Sequence, residues 1–232
     1  MRLAIVLLAL GFIVAPAMAE DSASISADGP TNLPQDREAF YCQAPQAGWN
    51  ATNASSGFVS ELADDIPNDL VGNDITMVTF YVAQWAGNWQ DPLAFTVNFY
   101  DGTCPPAMDP ALSYTVDWAN IQATFVYQGS WYVKECVVPL PEAVTITENM
   151  SIGGLSEIDW GQNPPYTGLC LTDEYTYYGC GSAYWAGDNW GYPRWTSLVN
   201  YFGYDIDMAY CLDGEAVAAQ ESSWGKVKSL FR

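Results

Sequence analysis

From position 76 onward, apolar and polar residues alternate with a period of two rather than 3.6. Val78, Phe80 and Val82 are interleaved with Thr79 and Tyr81, and Phe95, Val97 and Phe99 with Thr96, Asn98 and Tyr100. The same rhythm runs through Leu112, Tyr114, Val116 and Trp118, and again through Ile206, Met208, Tyr210 and Leu212. Successive side chains on an extended strand point to opposite faces, so this pattern predicts strands with one face on a core and the other toward water. Further strands are predicted at 123–127, 131–140, 143–147 and 150–156. Turn signals separate them at Asp101-Gly102, Cys104-Pro105-Pro106, Gln128-Gly129-Ser130 and Glu148-Asn149. Many short strands without a convincing amphipathic helix predict an all-β, antiparallel, jelly-roll-like sandwich. The stretch 161–203 breaks the rhythm and is rich in Gly, Tyr, Trp and Asn, so it reads as long loops with one or two strands.

The two ends differ from this body. Arg2, the apolar run 3–14 and Ala17-Met18-Ala19 have the pattern of a cleaved secretory signal peptide, residues 1–19. Residues 20–40 read as a flexible leader, 41–215 as the sandwich domain and 216–232 as a tail. No later segment approaches the length of a membrane-spanning helix. In the tail, Trp224, Val227 and Phe231 fall on one helical face with Leu230 beside them, and Lys226, Lys228 and Arg232 make this end basic. This ending resembles C-terminal tails on exported proteins of some bacterial lineages, which implies a sorting or attachment signal. A helix capping the protein's own fold is the plainer alternative.

Composition narrows the function classes. The 232 residues include 27 Asp+Glu against 7 Lys+Arg, a formal net charge of −20, and no histidine. Such a charge argues against nucleic acid and anionic membranes as partners. Without histidine, the chain holds no Ser-His-Asp triad, Cys-His dyad or His-ligated metal. Six cysteines, Cys42, Cys104, Cys136, Cys170, Cys180 and Cys211, predict three disulfides in an oxidising compartment. Six cysteines permit 15 connectivities. Cys170–Cys180 is the favoured first pair because the intervening loop is short, leaving Cys104–Cys136 and Cys42–Cys211.

The order of features resembles uncharacterised exported bacterial β-sandwich domains comparable to carbohydrate-binding modules. The residues carrying the resemblance are Ala63-Asp-Asp-Ile66, Ile75-Thr-Met-Val-Thr-Phe-Tyr81, Phe95-Thr-Val-Asn-Phe-Tyr100 and Gly203-Tyr-Asp-Ile-Asp-Met-Ala-Tyr210. The resemblance implies a non-catalytic surface or adhesion-type domain and carries over no functional residue.

Three sets of residues are candidates for chemistry. Trp85, Trp89, Trp185, Trp190, Tyr192 and Trp195 lie in loop-like sequence beside Asn88, Asp91, Asp188 and Asn189, a composition that suits a glycan partner; filling the core is the alternative use of such rings. Asp64, Asp65, Asp69 and Asp74, with Asn68 and Asn73, offer hard oxygens to a structural Ca²⁺, against the plainer reading of a solvated acidic loop. Finally, Glu157-Ile-Asp159-Trp160-Gly161-Gln162 resembles the E-x-D-x-x-E strand of a jelly-roll glycoside hydrolase family. Gln162 stands where the family has its acid/base, so the second carboxyl group that retaining hydrolysis needs is missing. Lys134, the only lysine before the tail, is expected to pair with Glu135 or another acid. The chain is thus expected to be a secreted, non-catalytic binding or structural protein. A carbohydrate-binding module and a Glu157 glycosidase are the alternatives.

Overall fold

The computed structural model describes residues 24–26, 39–45, 50–85, 88–158, 166–172, 180, 182–187 and 191–215. The expected signal peptide (1–19), most of the leader and the tail (216–232) lie outside these residues. The described chain is an antiparallel two-sheet sandwich. Its strands are β1 (Ser24–Ser26), β2 (Tyr41–Gln43), β3 (Asn50–Asn53), β4 (Ser60–Asp65), β5 (Asp74–Trp85), β6 (Ala94–Asp101), β7 (Leu112–Asp117) and β8 (Gln122–Gln128). They continue with β9 (Tyr132–Thr145), β10 (Met150–Glu157), β11 (Tyr166–Thr172), β12 (Tyr184–Gly187), β13 (Tyr192–Ser197), β14 (Asp207–Met208) and β15 (Tyr210–Glu215); one helical turn, α1 (Val199–Phe202), precedes β14.

A six-stranded sheet has the order β13-β12-β4-β10-β6-β7. The nine-stranded sheet is built on β5, whose 12 residues pair with β9 along one side and with β15 and then β11 along the other. The two stretches expected at 131–140 and 143–147 are one strand, β9. A register shift where it passes Ile75 and Met77 of β5 accommodates Pro139 and Pro141. Within the expected leader, Ser24–Ser26 pairs with β3. The aromatic stretch 161–203 supplies three strands rather than one or two; Trp185 packs inward, and Gly168 and Gly187 sit inside β11 and β12.

Alternation places Phe80 and Val82 of β5 opposite Phe95, Val97 and Phe99 of β6, all fully buried between the layers. Each such side chain contributes about 1.5–3 kcal/mol by leaving water. The other face of the nine-stranded sheet does not face water as the alternation predicted. Tyr81, Ala83 and Trp85 of β5 join Trp131, Val133 and Cys170 in a second apolar cluster there.

The cysteine pairing differs from the expected set. Cys42 and Cys211 occupy directly paired positions of β2 and β15 and are bonded, as expected. The second bridge is Cys104–Cys180, with Cα atoms 5.6 Å apart, in place of Cys170–Cys180 and Cys104–Cys136. Cys136 and Cys170 are buried thiols. They belong to the two clusters on opposite faces of the nine-stranded sheet, so backbone separates them. Burial pushes both thiols well above their ordinary range, which keeps them protonated and unreactive. Peptide mapping should therefore recover Cys42–Cys211 and Cys104–Cys180 only. Cys136 and Cys170 should alkylate only after denaturation; a bridge involving either would contradict this packing.

Candidate functional site

On the six-stranded sheet, the strands β4, β10 and β6 are neighbours, with Gly153 opposite Ala63 on one side and Asn98 on the other. The inward positions Leu62, Ile152, Phe95, Val97 and Phe99 belong to the core. The outward positions carry Glu61, Gly153, Glu157, Thr96, Asn98 and Tyr100. Glu61 reaches across β10 to β6, and Gly153 is what permits this. A Cβ at position 153 would lie 2.7 Å from Glu61 Oε1 and 3.1 Å from Tyr100 Cε2. Gly154 plays the matching part on the inner face, where a Cβ would meet the Phe95 and Phe80 rings at 3.0–3.1 Å.

Glu61 is 5% exposed and fully supplied with donors. Its Oε1 accepts from Asn98 Nδ2 (2.7 Å) and the Tyr100 hydroxyl (2.6 Å), and its Oε2 accepts from Arg194 Nη2 at 2.5 Å. The same Nη2 donates to the Tyr100 oxygen at 2.7 Å. Burial pushes the Glu61 carboxyl above the usual range, and the bonds from Asn98, Tyr100 and Arg194 oppose that rise. Burial, followed by the Glu61 charge, raises the Tyr100 phenol, so it stays protonated and donating. The Arg194 guanidinium lies 4.5 Å from the Trp195 ring centre and 5.7 Å from that of Tyr100. Trp195 is partly exposed, sits edge-on to Tyr100 at 5.4 Å and donates from Nε1 to the Ala107 carbonyl at 3.0 Å. Among the described residues, Asn98 Oδ1 and Arg194 Nε have no hydrogen-bond partner.

A second polar row crosses the same face. Thr96 Oγ1 donates to Glu157 Oε1 at 2.7 Å and lies 2.8 Å from Thr115 Oγ1, linking β10, β6 and β7. Glu157 therefore shares a face with Glu61. Its expected neighbours Asp159 and Gln162 lie outside the described residues.

The candidate aromatic residues do not form one patch. Trp185 is fully buried in the core and donates to the Asn53 carbonyl at 2.8 Å. Trp85 stacks on Tyr166 at 6.1 Å on the far face of the other sheet. Trp89, partly buried, packs against the core with Trp118 and meets the exposed Phe125 ring edge-on at 5.5 Å. Among the candidates whose side chains are described, Trp195 alone stands in the Glu61 network. Tyr192 contributes backbone to β13, while Trp190, Asp188 and Asn189 are outside the described residues. Lys134 finds an acid, but it is Asp91 at 2.9 Å, and its ammonium sits 4.5 Å from Trp89 and 4.6 Å from Phe125. Partial burial works to raise the Asp91 carboxyl, yet the bonds from Trp89 and Lys134 hold it below the ordinary range.

The acidic residues proposed as calcium ligands also separate. Adjacent positions on β4 send Asp64 inward and Asp65 outward. Asp69 lies in the exposed turn Asn68–Leu70, and Asp74 accepts from Thr145 Oγ1 at 2.6 Å. Among the described residues, no group of three or more His, Cys, Asp or Glu side chains is placed to hold a metal ion. Asp64 is instead a clasp between the sheets. From β4 its Oδ2 accepts from Met208 N of β14 (2.9 Å) and Gln43 Nε2 of β2 (2.8 Å). Asp207 lies nearby, 3% exposed, with Oδ1 unpartnered among the described residues. Burial, then the charges of Asp65 and Asp205, push its carboxyl up to about 7; burial and Asp207 likewise raise Asp64.

Sequence reasoning did not single out Glu61, Asn98, Tyr100 or Arg194. The available signals were polar residues at alternate positions of a strongly apolar strand, the Gly153-Gly154 pair, and a rare arginine next to a tryptophan. No protein-family model, curated protein or solved structure matches the chain.

Gly153→Ala should displace Glu61 and Tyr100 and cost roughly 1–3 kcal/mol in chemical unfolding; an unchanged midpoint would show that the crossing tolerates a side chain. The raised acids set the sign of a pH effect. Between the unfolded value near 4 and about 7, the folded state holds more protons at Asp207, so stability is highest below that window and falls as pH rises through it. Thermal unfolding should therefore occur at lower temperature at pH 8 than at pH 5. Asp207→Asn should remove on the order of 3 kcal/mol of that difference. A melting temperature that is flat or rising across this range would contradict the assignment.

Proposed function

We propose that the protein is an exported, non-catalytic recognition module that binds a carbohydrate on the outer face of its six-stranded sheet. The observation that carries this reading is the Glu61–Asn98–Tyr100–Arg194 network beside the partly exposed Trp195 ring. Sugar hydroxyls both donate and accept, and here the buried Glu61, Asn98 and Tyr100 hold the partly exposed Arg194 guanidinium at a fixed position, with the partly exposed Glu157 carboxylate on the same face. The partly exposed Trp195 ring nearby offers aromatic surface to the apolar C–H groups of a pyranose. Preorganised polar groups next to an aromatic surface lower the ordering cost of binding.

The non-catalytic part is supported by how the carboxyl groups are engaged. Glu61 is tied by three side chains, and Glu157 by Thr96, so each serves as an acceptor in a network. Export is supported by the signal-like first residues and by two disulfides, which persist in oxidising compartments. Among the described residues, no helix is long and apolar enough to cross a membrane.

Binding to a glycan array tests the reading. Trp195→Ala should weaken the best ligand about tenfold, roughly 1.4 kcal/mol. Trp85→Phe, on the other sheet, should leave affinity unchanged. An array without a binder, or equal losses in both variants, would contradict the assignment of this face. Release of reducing ends that disappears in Glu157→Gln would instead identify an enzyme.

A further inference from the structure

Arg194 is the one cation among the described residues of the six-stranded sheet. Its Nη2 is bound to Glu61 Oε2 at 2.5 Å, while 29% of the Arg194 side chain remains exposed. Glu61 itself is enclosed, so its charge is directed at Arg194, Asn98 and Tyr100 rather than at solvent. The remaining ionisable groups on this face, Glu157, Asp65 and Asp117, are acids, and the whole chain carries a formal charge of −20. A face of this kind offers an incoming anion no uncompensated positive charge, and a surrounding field that repels it.

We propose that the face selects uncharged sugars over uronic or sulfated ones, and that Glu61 is the specificity-determining residue because it neutralises Arg194. This rests on the reading of the face as a glycan site and extends it to the class of ligand. Polar groups here meet the ligand as hydrogen-bonding partners: the Arg194 edge as donor, Glu157 as acceptor. A guanidinium left without its carboxylate partner is the group best suited to bind a planar carboxylate in a bidentate manner. The consequence is a gain of function on removing one charge. Glu61→Gln keeps the length of the side chain and an oxygen able to accept from Asn98 or Tyr100, and it frees the positive charge of Arg194.

The test uses matched pairs of hexose and uronate oligomers in the gluco, manno and galacto series, measured by calorimetry at about 50 and 500 mM NaCl. At these salt levels, screening separates charge-driven from neutral binding. The wild-type protein should bind a neutral oligomer at least about tenfold more tightly than its uronate partner, with less than about a twofold change between the two salt levels. Glu61→Gln, checked for folding by circular dichroism, should gain about tenfold for the uronate, and high salt should remove that gain. Glu61→Gln combined with Arg194→Gln should lose it again. Wild-type binding of uronates as tight as that of neutral partners would overturn the proposal, as would a folded Glu61→Gln variant without the gain. If that variant does not fold, the wild-type preference and its salt dependence decide alone. Binding of neither class would instead remove the glycan reading itself, and this inference with it.

Discussion

A carboxylate on the outward side of a sheet, covered almost completely by protein, is the constraint from which the six-stranded layer takes its form. An ionised group in that position is tolerated only where donors replace the water it loses. Glu61 obtains three, from two strands on either side of its own neighbourhood: Asn98 and Tyr100 on β6, and Arg194 on β13. The distance from β4 to β6 can be crossed only over a strand with no side chain in the way, which accounts for Gly153 at that register. Arg194 in turn lies over the Trp195 ring and near that of Tyr100, so one buried charge gathers the aromatic and cationic groups around it.

The two sheets solve the problem of their outer faces differently. The nine-stranded sheet covers part of its far side with an apolar cluster that includes Tyr81, Trp85, Trp131 and Tyr166. The six-stranded sheet keeps two hydrogen-bonded polar rows on its outer face. Two charged side chains of the interior are matched by partners. Asp64 ties β4 to β14 and β2, and Lys134 is balanced by Asp91 and by the rings of Trp89 and Phe125. The acid pair Asp64 and Asp207 is the least comfortable of these arrangements, since like charges share a buried site.

Much of the fold was legible in period-two alternation. The strands around Phe80, Phe95–Phe99, Leu112–Val116 and Tyr210 follow it, because each has one face on a common core. Alternation failed where both faces of a strand are buried. Tyr81 reads as a solvent position and is covered by the second cluster, and Trp185 reads as a loop residue and fills the core. Cysteine spacing along the chain was a poor guide to pairing, since Cys104 and Cys180 meet through sheet topology and Cys136 and Cys170 are separated by it. The acidic run around Asp64 suggested converging oxygens, but a strand points neighbouring side chains apart. The Glu61 network was not legible: its members are 37 to 133 residues apart in pairs with Glu61, and only strand order brings them together.

Backbone amide shifts followed during titration with a neutral oligosaccharide read the binding face residue by residue. Perturbations are expected on β4, β6, β10 and β13, strongest around Glu61, Asn98, Gly153 and Arg194, with the indole of Trp195 among the shifted side chains. Shifts gathered instead around Trp85 and Tyr166 on the opposite sheet would contradict a glycan site on this face.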